Sequence, residues 1–414
     1  MKKFNKVMSV VMASAMTAAI FAGCGNADAG TQAADSAPAA ENAASETESA
    51  APEAGGDTAA AGAFKIGGIG PTTGSAAVYG VAVQNAAQLA VDEINAAGGI
   101  NGVPIEFKFE DDECDAEKSV NAYNTLKDWG MQMLMGTVTS GCSVAVAENT
   151  AEDNMFQLTP SGSSVDCVKY DNAFRVCFSD PNQGAASALY IGENAIASKV
   201  AVIYDSSDIY SSGIYEKFVA EAANQSFEIV SAEAFTADNK TDFSVQLQKA
   251  KDAGAELVFL PIYYTEASLI LSQASTMGYS PIFFGCDGLD GILNVENFDT
   301  SLAEGVMLLT PFAADAEDEL TKSFVTTYRE KFGDTPNQFA ADAYDAIYAI
   351  KAAGEKAGIT PDMDMNAICE AMKGAMTEIT LDGLTGVGMT WDATGEPDKA
   401  PKAVQIKDGV YTAM

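Results

Sequence analysis

Two short loops in the middle of the chain are built from small hydroxyl-bearing residues, whose types suit the binding of a small anion. The first loop follows the apolar run Met133–Gly136, and the second follows the apolar run Met155–Thr159. Between them, the spacing of apolar residues predicts a helix over Gly141–Asp153. Loops at the carboxyl ends of parallel strands line the crevice of an open α/β sheet, and a helix N-terminus attracts negative charge. The residues predicted to surround a carboxylate are Thr139, Ser140, Ser161 and Ser163.

Ser140 and Ser163 also have an ordinary structural interpretation. Serine is a preferred N-cap, because its hydroxyl oxygen accepts a hydrogen bond from a free N–H group in the first helical turn. Two such loops side by side favour a binding role, and one serine can serve as cap and ligand at once. Both interpretations therefore stay open.

The composition excludes several classes of function. The chain carries a formal charge of −35, so it repels nucleic-acid phosphates and anionic membrane surfaces. Histidine is absent from the sequence, which removes Ser-His-Asp and Cys-His catalysis and histidine-based zinc sites. The 414 residues, of which 48% are hydrophobic, suffice for two domains with large cores. We expect no enzymatic activity, no metal and no cofactor.

The N-terminal segment has the pattern of an export signal. Three lysines precede the apolar run Val7–Phe21, so residues 1–23 are predicted to be a signal peptide. The sequence FAGC, which ends at Cys24, resembles a bacterial lipobox in which Phe replaces the usual Leu. Cys24 is therefore the predicted lipidation site. The alternative is a signal anchor that is retained.

Residues 24–62 are predicted to form the lipidated cysteine and a disordered acidic linker. The segment after Cys24 is rich in Ala, Ser, Thr, Glu, Asp and Gly and contains no Lys or Arg, so it cannot form a core. A flexible tether of this kind suits a domain held near a membrane. The protein is thus predicted to be exported and anchored to the outer face of the cell membrane.

Strand-like and helix-like segments alternate from Phe64 onward, which predicts an α/β protein with parallel sheets. The alternation starts again at Lys199–Tyr204, so we expect a second α/β unit with its own sheet. Long helices are predicted at Glu317–Lys331 and Asn337–Gly354, and Lys402–Met414 has the pattern of a hairpin. Two α/β units suggest a protein with a cleft between lobes.

The motifs of this folded part resemble, in order and spacing, those of the leucine/isoleucine/valine-binding proteins of bacterial ABC importers. The resemblance extends from Phe64 to Asp398. The segments that carry it are FKIGGIGPTTGSAAVYG, AVDEINAAGGINGVPIEF followed by EDDECD, TPSGS, KVAVIYDSSDIYSSG, TDFSVQLQKAKDAGAELVFLPIYYTEA and GLTGVGMTWDATGEP.

The resemblance implies the type I periplasmic-binding-protein fold. In that fold, two Rossmann-like lobes with parallel-type central sheets are joined by three crossover segments and close on a ligand. Lobe one would comprise residues 63–180 and 313–389, and lobe two would comprise residues 181–312 and 390–414. The crossings are then expected near Ser179–Pro181, Thr310–Phe312 and Thr390–Asp392.

The resemblance also implies a site for a free amino acid. The groups expected at the ligand carboxylate are Ser140, Ser163 and the backbone N–H of Gly141. Asp287, where the family has Glu or Asp, is expected to bind the ligand ammonium group. The groups expected to complete the ammonium shell are the Tyr263 hydroxyl and the Ser161 carbonyl. The residues expected to wall the side-chain pocket are Tyr79, Tyr210 and Phe339.

Two of these residues have structural alternatives. Asp287 precedes a glycine and could be an ordinary turn residue. Phe339 lies in a predicted helix and could be a core aromatic.

Cysteine pairing stays open, since disulfides are permitted in an exported protein. The candidates for disulfides are Cys114, Cys142, Cys167 and Cys177. The family often has a bridge close to the first pair, but Cys142 lies three residues after the usual family position, which is Thr139 here. The second pair flanks a short loop and could bridge locally. Cys286 and Cys369 are expected to be free.

The resemblance predicts a monomeric, extracytoplasmic substrate-binding lipoprotein of an ABC importer. It would capture a branched-chain (aliphatic) amino acid in the interlobe cleft and deliver it to a permease in the membrane. The alternative is a receptor or sensor of the same fold for another small amphiphile, such as an aromatic amino acid, an amide or an aromatic acid.

Overall fold

A computed structural model describes residues 62–414 of the chain. The predicted signal peptide, Cys24 and the linker before Gly62 lie outside the described residues. Within residues 62–414, no helix combines the length and the apolar character that a membrane crossing requires.

The first half of the folded chain forms a five-stranded parallel sheet. Its strands are β1 (Phe64–Gly70), β2 (Ile105–Asp111), β3 (Met133–Gly136), β4 (Phe156–Thr159) and β5 (Ala173–Arg175), in the order β2-β1-β3-β4-β5. The connecting helices are α1 (Ala77–Ala96), α2 (Ala116–Trp129) and α3 (Ser140–Asp153). The strands are short and almost fully buried except for β2, as expected for a parallel sheet covered on both faces.

The second sheet has seven strands and is parallel except at one edge. Its strands are β6 (Lys199–Asp205), β7 (Glu228–Phe235), β8 (Leu257–Leu260), β9 (Ile282–Gly285), β10 (Met307–Thr310), β11 (Lys402–Lys407) and β12 (Val410–Ala413), in the order β12-β11-β10-β9-β8-β6-β7. The helices of this part are α4 (Asp180–Glu193), α5 (Ile209–Ala222), α6 (Ser244–Asp252) and α7 (Tyr264–Thr276). The antiparallel hairpin β11–β12 is the one predicted for the end of the chain.

Three further helices return to the first sheet. They are α8 (Glu319–Phe332), α9 (Gln338–Ala357) and α10 (Met365–Met376). Helix α9 packs along α1, and α10 packs against β4. The predicted α/β architecture with two lobes is therefore confirmed, and the two sheets with their helices are called lobe one and lobe two below.

Helix α4 was not expected, because the family resemblance placed a crossing near Ser179–Pro181 and no helix was predicted after it. Proline is tolerated in the first helical turn, where its missing N–H would have no intrahelical partner. Here Pro181 occupies that turn, and α4 begins one residue earlier, at Asp180. The helix packs along α5 of lobe two.

The third crossing also differs from expectation. It was predicted near Thr390–Asp392, but this segment remains attached to lobe one. The Trp391 indole N–H donates to the Arg175 carbonyl at 2.7 Å, and the Lys399 ammonium donates to the Val176 carbonyl at 2.9 Å. Strand β11 begins at Lys402. The chain therefore passes between the lobes only after Lys399.

Lys399 forms a buried ion pair that holds this segment in place. Its side chain is 1% exposed, and its Nζ lies 2.9 Å from Oδ1 of Asp342 and 2.6 Å from the Thr385 hydroxyl. Burial raises the pKa of Asp342 to about 6, although the neighbouring Lys399 charge lowers it. The Asp342 carboxylate therefore depends on Lys399 for its charge compensation.

Replacing Lys399 by Met should destabilise the protein strongly, because it leaves Asp342 buried without a cation. We expect a loss of about 3–5 kcal/mol in the free energy of unfolding, measured by chemical denaturation. The matched control is Lys351→Met, which removes an exposed pair with Glu355 and should cost less than about 1 kcal/mol. Equal losses in the two variants would contradict a supporting role for the buried pair.

Candidate ligand site between the lobes

The first turns of several helices converge on the cleft between the two lobes. Ser140 is the first residue of α3, Tyr79 lies in the first turn of α1, and Phe339 is the second residue of α9. From lobe two, Tyr210 is the second residue of α5, and Asp287 follows β9. The site thus lies at the carboxyl ends of both parallel sheets, where open α/β sheets bind ligands.

Ser140 organises a group of hydrogen-bond donors in lobe one. Its hydroxyl oxygen accepts the backbone N–H groups of Ser163 and Ser164, each at 3.1 Å, and lies 3.4 Å from the Ser163 hydroxyl oxygen. Two N–H groups that converge on one oxygen leave the Ser140 proton free to donate onward. Because each bond in a hydrogen-bonded chain polarises the next, Ser140 is well prepared to donate to an anion.

The structure also decides the question of capping. Thr139 occupies the N-cap position of α3, and Ser140 follows it as the first helical residue. Ser164 occupies the N-cap position of the next short helical turn, Val165–Val168, directly after Ser163. Neither predicted serine is an N-cap, so both hydroxyl groups are available for the cleft network.

Asp287 is an acidic group of lobe two that lines the same cavity as Ser140. Its side chain is buried, and its two oxygens accept hydrogen bonds from the Tyr210 hydroxyl at 2.7 Å and the Gln183 amide at 2.9 Å. The same two residues also accept backbone N–H groups, since Asp287 N–H donates to Gln183 and Gly288 N–H donates to Tyr210. The loop and its carboxylate are therefore fixed by one pair of side chains.

The ionisation of Asp287 is finely balanced. Burial raises its pKa to about 7, and the negative charge of Asp342 acts in the same direction. The hydrogen bonds from Tyr210 and Gln183 lower the pKa, because they stabilise the charged form. A cation placed beside this carboxylate would complete its charge compensation.

Four aromatic rings enclose the space between these polar groups. Tyr79 stacks on Phe339 with ring centres 4.1 Å apart, and Tyr210 stacks on Tyr263 at 4.9 Å. The rings of Tyr79 and Tyr263 meet edge to face, with ring centres 5.6 Å apart. The cavity between them is small, with a volume of about 10 Å³, which is roughly the space of one water molecule. Its lining residues are Tyr79, Val138, Thr139, Ser140, Ser161, Tyr210, Tyr263, Asp287, Gly288 and Phe339.

The predicted site residues are thus brought together with two exceptions. Ser163 lies behind Ser140, and Gly141 lines a larger, more open cavity next to the first. Within the described residues, the Tyr263 hydroxyl forms no hydrogen bond to Asp287, whose two oxygens are occupied by Tyr210 and Gln183. The roles of these residues towards a ligand stay predictions.

The two lobes are closed on each other around the cavity. The Tyr79 hydroxyl of lobe one donates to the Gly288 carbonyl of lobe two and accepts the Tyr264 backbone N–H at 3.3 Å. Farther out, the Gln338 backbone N–H of lobe one donates to Asp290 of lobe two at 2.7 Å. Tyr79 therefore belongs to the cavity wall and to the contact between lobes.

The cysteines do not form disulfides in this structure. All six cysteines of the described residues are free, so the possible bridges among Cys114, Cys142, Cys167 and Cys177 are absent there. The thiol of Cys114 instead lies 3.6 Å from the Thr139 hydroxyl, and that of Cys167 lies 3.8 Å from the Ser140 carbonyl oxygen. Burial raises the pKa of Cys114 to about 11, so its thiol is protonated at neutral pH. Residues 62–414 also contain no group of three or more Cys, Asp or Glu side chains placed to hold a metal ion.

Sequence reasoning missed two residues that support the site. Gln183 holds Asp287, and the guanidinium group of Arg175 lies under the Ser163 loop, where it donates to the Gly162 carbonyl at 3.0 Å. Gln183 could have been noticed as a polar residue on the buried face of a helix, but helix α4 was not predicted. Arg175 ends the short strand β5 with its side chain fully buried, which is rare for arginine unless it is paired.

Comparison with known proteins identifies the family. Residues 63–410 match the model of a family described as periplasmic binding protein, and the chain therefore belongs to this family. Proteins of this family are substrate-binding proteins of transporters and not enzymes. The resemblance to leucine/isoleucine/valine-binding proteins is confirmed by individual relatives.

Three relatives illustrate the similarity. Leu/Ile/Val-binding protein homolog 3 of Brucella melitensis is 33% identical over 301 residues, which cover 72% of this chain and 80% of the relative. The leucine-, isoleucine-, valine-, threonine- and alanine-binding protein of Pseudomonas aeruginosa is 28% identical over 316 residues, covering 76% and 83% of the two chains. The crystal structure of LivJ from Streptococcus pneumoniae in complex with isoleucine superposes with a TM-score of 0.77 at 30% identity, covering 85% of this chain and 98% of LivJ.

Replacing Tyr210 by Phe should raise the pKa of Asp287 above its value of about 7. The change removes a hydrogen bond to the ionised carboxylate and keeps the aromatic ring. The measurement is a pH titration of the Asp287 carboxyl carbon by NMR. Tyr263→Phe is the matched control, because it removes a hydroxyl in the same cavity that does not donate to Asp287. An unchanged titration in Tyr210→Phe would show that the hydrogen bond does not govern the ionisation.

Proposed function

We propose that this protein is an exported substrate-binding lipoprotein of an ABC importer that captures a branched-chain, aliphatic amino acid between its lobes. The observation that carries the proposal is the polarity of the cavity. The Ser140 hydroxyl of lobe one and the buried carboxylate of Asp287 in lobe two both line the cavity, together with four aromatic rings. The comparisons support the family but leave the individual ligand open.

A zwitterion fits this polarity. Burial of a free amino acid requires donors for its carboxylate and a compensating anion for its ammonium group. Ser140, Ser163 and the Gly141 N–H would serve the carboxylate. Asp287 would serve the ammonium group, with help from the Tyr263 hydroxyl and the Ser161 carbonyl after the side chains adjust to the ligand.

Asp287 also argues against the alternative of a simple aromatic acid. Such a ligand brings a carboxylate but no cation, so Asp287 would remain buried without charge compensation. Asp287 would then have to be protonated, whereas an amino acid lets it stay ionised beside the ligand ammonium group. The site therefore favours amino acids over carboxylic acids.

The walls favour a compact apolar side chain. Tyr79, Tyr210 and Phe339 line the cavity, and the rings of Tyr79 and Phe339 stack on each other. A branched aliphatic side chain can pack against these rings without a hydrogen-bonding group of its own. This supports leucine, isoleucine or valine.

Closure and anchoring complete the proposal. Bonds between the lobes, such as those of Tyr79 and Gln338, would form as the lobes close on a ligand and create the surface that a permease reads. Cys24, in the lipobox-like sequence, would carry the lipid that holds the protein at the outer face of the membrane. A single folded chain supplies both halves of the site, in keeping with a monomer.

A thermal-shift screen against the twenty amino acids, small amides and aromatic acids tests the ligand class on the chain without residues 1–23. A ligand at about 100 times its dissociation constant should add roughly 2.7 kcal/mol to the free energy of unfolding. We expect a response to leucine, isoleucine and valine. A response confined to aromatic acids, or none to any amino acid, would contradict the proposal.

Replacing Asp287 by Ala should weaken amino-acid binding by about 3–5 kcal/mol, by analogy with broken buried ion pairs. The reason is that the ligand ammonium group would be buried without an anion. Isothermal titration calorimetry measures the loss. Asp112→Asn is the control, because Asp112 is also fully buried and also has a raised pKa, of about 6, yet does not line the cavity. Affinity within twofold of the parent would exclude Asp287 as the ammonium partner.

A further inference from the structure

Arg175 is one of only two arginines in the sequence, and its side chain is completely buried at the end of β5. Its two terminal nitrogens donate to the carbonyl oxygens of Gly162 and Ser164, both at 3.0 Å. One of them also lies 3.1 Å from a carboxylate oxygen of Glu396. The planar guanidinium group therefore binds the loop that carries Ser163 through two carbonyls, one on each side of Ser163.

These contacts set the direction of the N–H groups on the other side of the loop. In a trans peptide, the carbonyl of one residue and the N–H of the next belong to one rigid unit and point in opposite directions. Because Arg175 holds the Gly162 carbonyl, the Ser163 N–H must point away from it, and it bonds the Ser140 hydroxyl oxygen at 3.1 Å. The peptide between Gly162 and Ser163 is trans.

The next peptide is fixed in the same way from a different element. The Ser163 carbonyl accepts the backbone N–H of Asp180 at 2.9 Å, so the Ser164 N–H points away from α4 and bonds the same Ser140 oxygen at 3.1 Å. The carbonyls of Gly162 and Ser163 are thus held on one side of the loop. The N–H groups of Ser163 and Ser164 therefore point to the other side, where both bond the Ser140 oxygen.

We propose that Arg175 is a positioning residue for ligand recognition, which orients the Ser163 loop for the carboxylate without touching the ligand. This inference rests on the proposed function and adds a residue to it. Arg175 also links the loop to Glu396, which lies on the segment that leads to the third crossing, while Asp180 lies at the first. The carboxylate side of the site is therefore tied to two of the connections between lobes.

Arginine is suited to this role where lysine is not. The guanidinium group presents several N–H donors in a fixed plane, whereas the lysine ammonium is a compact point charge. Lysine at position 175 would keep the positive charge but could not hold both carbonyls and Glu396 in the same geometry. The variant Arg175→Lys therefore separates loop orientation from charge.

The test measures binding of leucine, isoleucine and valine by calorimetry to the chain without residues 1–23 and to its Arg175→Lys variant. Loss of an oriented hydrogen bond to a charged group should lower the affinity for all three probes by a common factor of about tenfold to a hundredfold. The order of the three affinities should not change, since the side-chain pocket is untouched. Affinities within twofold of the parent, or losses that reorder the probes, would overturn the proposal.

A second measurement needs no ligand. Amide hydrogen exchange of the unliganded protein should show faster exchange at Ser163 in Arg175→Lys, with the amides of β8 unchanged. Glu396→Gln, which leaves the arginine in place, should give a smaller change in the same direction. Arg329→Lys is the control, because Arg329 is exposed and bonds only the Thr335 hydroxyl, and it should change neither exchange nor affinity.

The two measurements separate the possible failures. If the parent binds none of the three probes, the proposed function is wrong, and the exchange at Ser163 still decides whether Arg175 orients the loop. If the parent binds and Ser163 exchanges at the same rate in both proteins, the role of Arg175 is wrong and the proposed function stands.

Discussion

The carboxylate of Asp287 is the constraint around which the cleft is arranged. It is buried at the end of a strand, and its two hydrogen-bond donors, Tyr210 and Gln183, are neutral. Neutral donors reduce the penalty of burying a charge but do not remove it, which is why the pKa is raised to about 7. A site of this kind gains most from a ligand that brings its own positive charge.

The opposite side of the cleft follows a different principle. Arg175, the cation next to the Ser163 loop, does not line the cavity; it bonds the carbonyls of Gly162 and Ser164 and the carboxylate of Glu396. What lines the cavity on this side is the Ser140 hydroxyl, a dipole oriented by the two N–H groups that its oxygen accepts. Oriented dipoles bind a carboxylate without the desolvation penalty that a second buried full charge would add. The asymmetry between one full charge and several dipoles discriminates between the two ends of a zwitterion.

Much of the fold could be predicted from the sequence, because buried parallel strands and amphipathic helices leave strong periodic patterns. The helix predicted at Gly141–Asp153 is α3, which starts one residue earlier, and the final hairpin is present. Helix α4 was missed because the family resemblance placed a crossing near Ser179–Pro181, where the helix begins. The third crossing was misplaced because the contacts of Trp391 and Lys399 are tertiary, and no local pattern reports them.

The candidate site shows the same division. Loops after strands and the family motifs pointed to Ser140, Asp287 and the aromatic residues, since these positions depend on where strands end. Gln183 and Arg175 act through partners far away in the chain, and periodicity carries no information about such contacts. Pairing of the cysteines was also beyond sequence reasoning, because it depends on distances that spacing does not fix.

The chain leaves lobe one only after Lys399, so the third connection between the lobes contains very few rotatable bonds. Lys399 is held by its buried ion pair, and the hydrogen bonds of β11 begin at Lys402. Only Ala400 and Pro401 lie between these fixed points, and the proline ring fixes one of their four main-chain torsions. This connection between the lobes is therefore short and has little conformational freedom. Any swing of one lobe against the other must be accommodated there by the few main-chain torsions between Lys399 and Lys402.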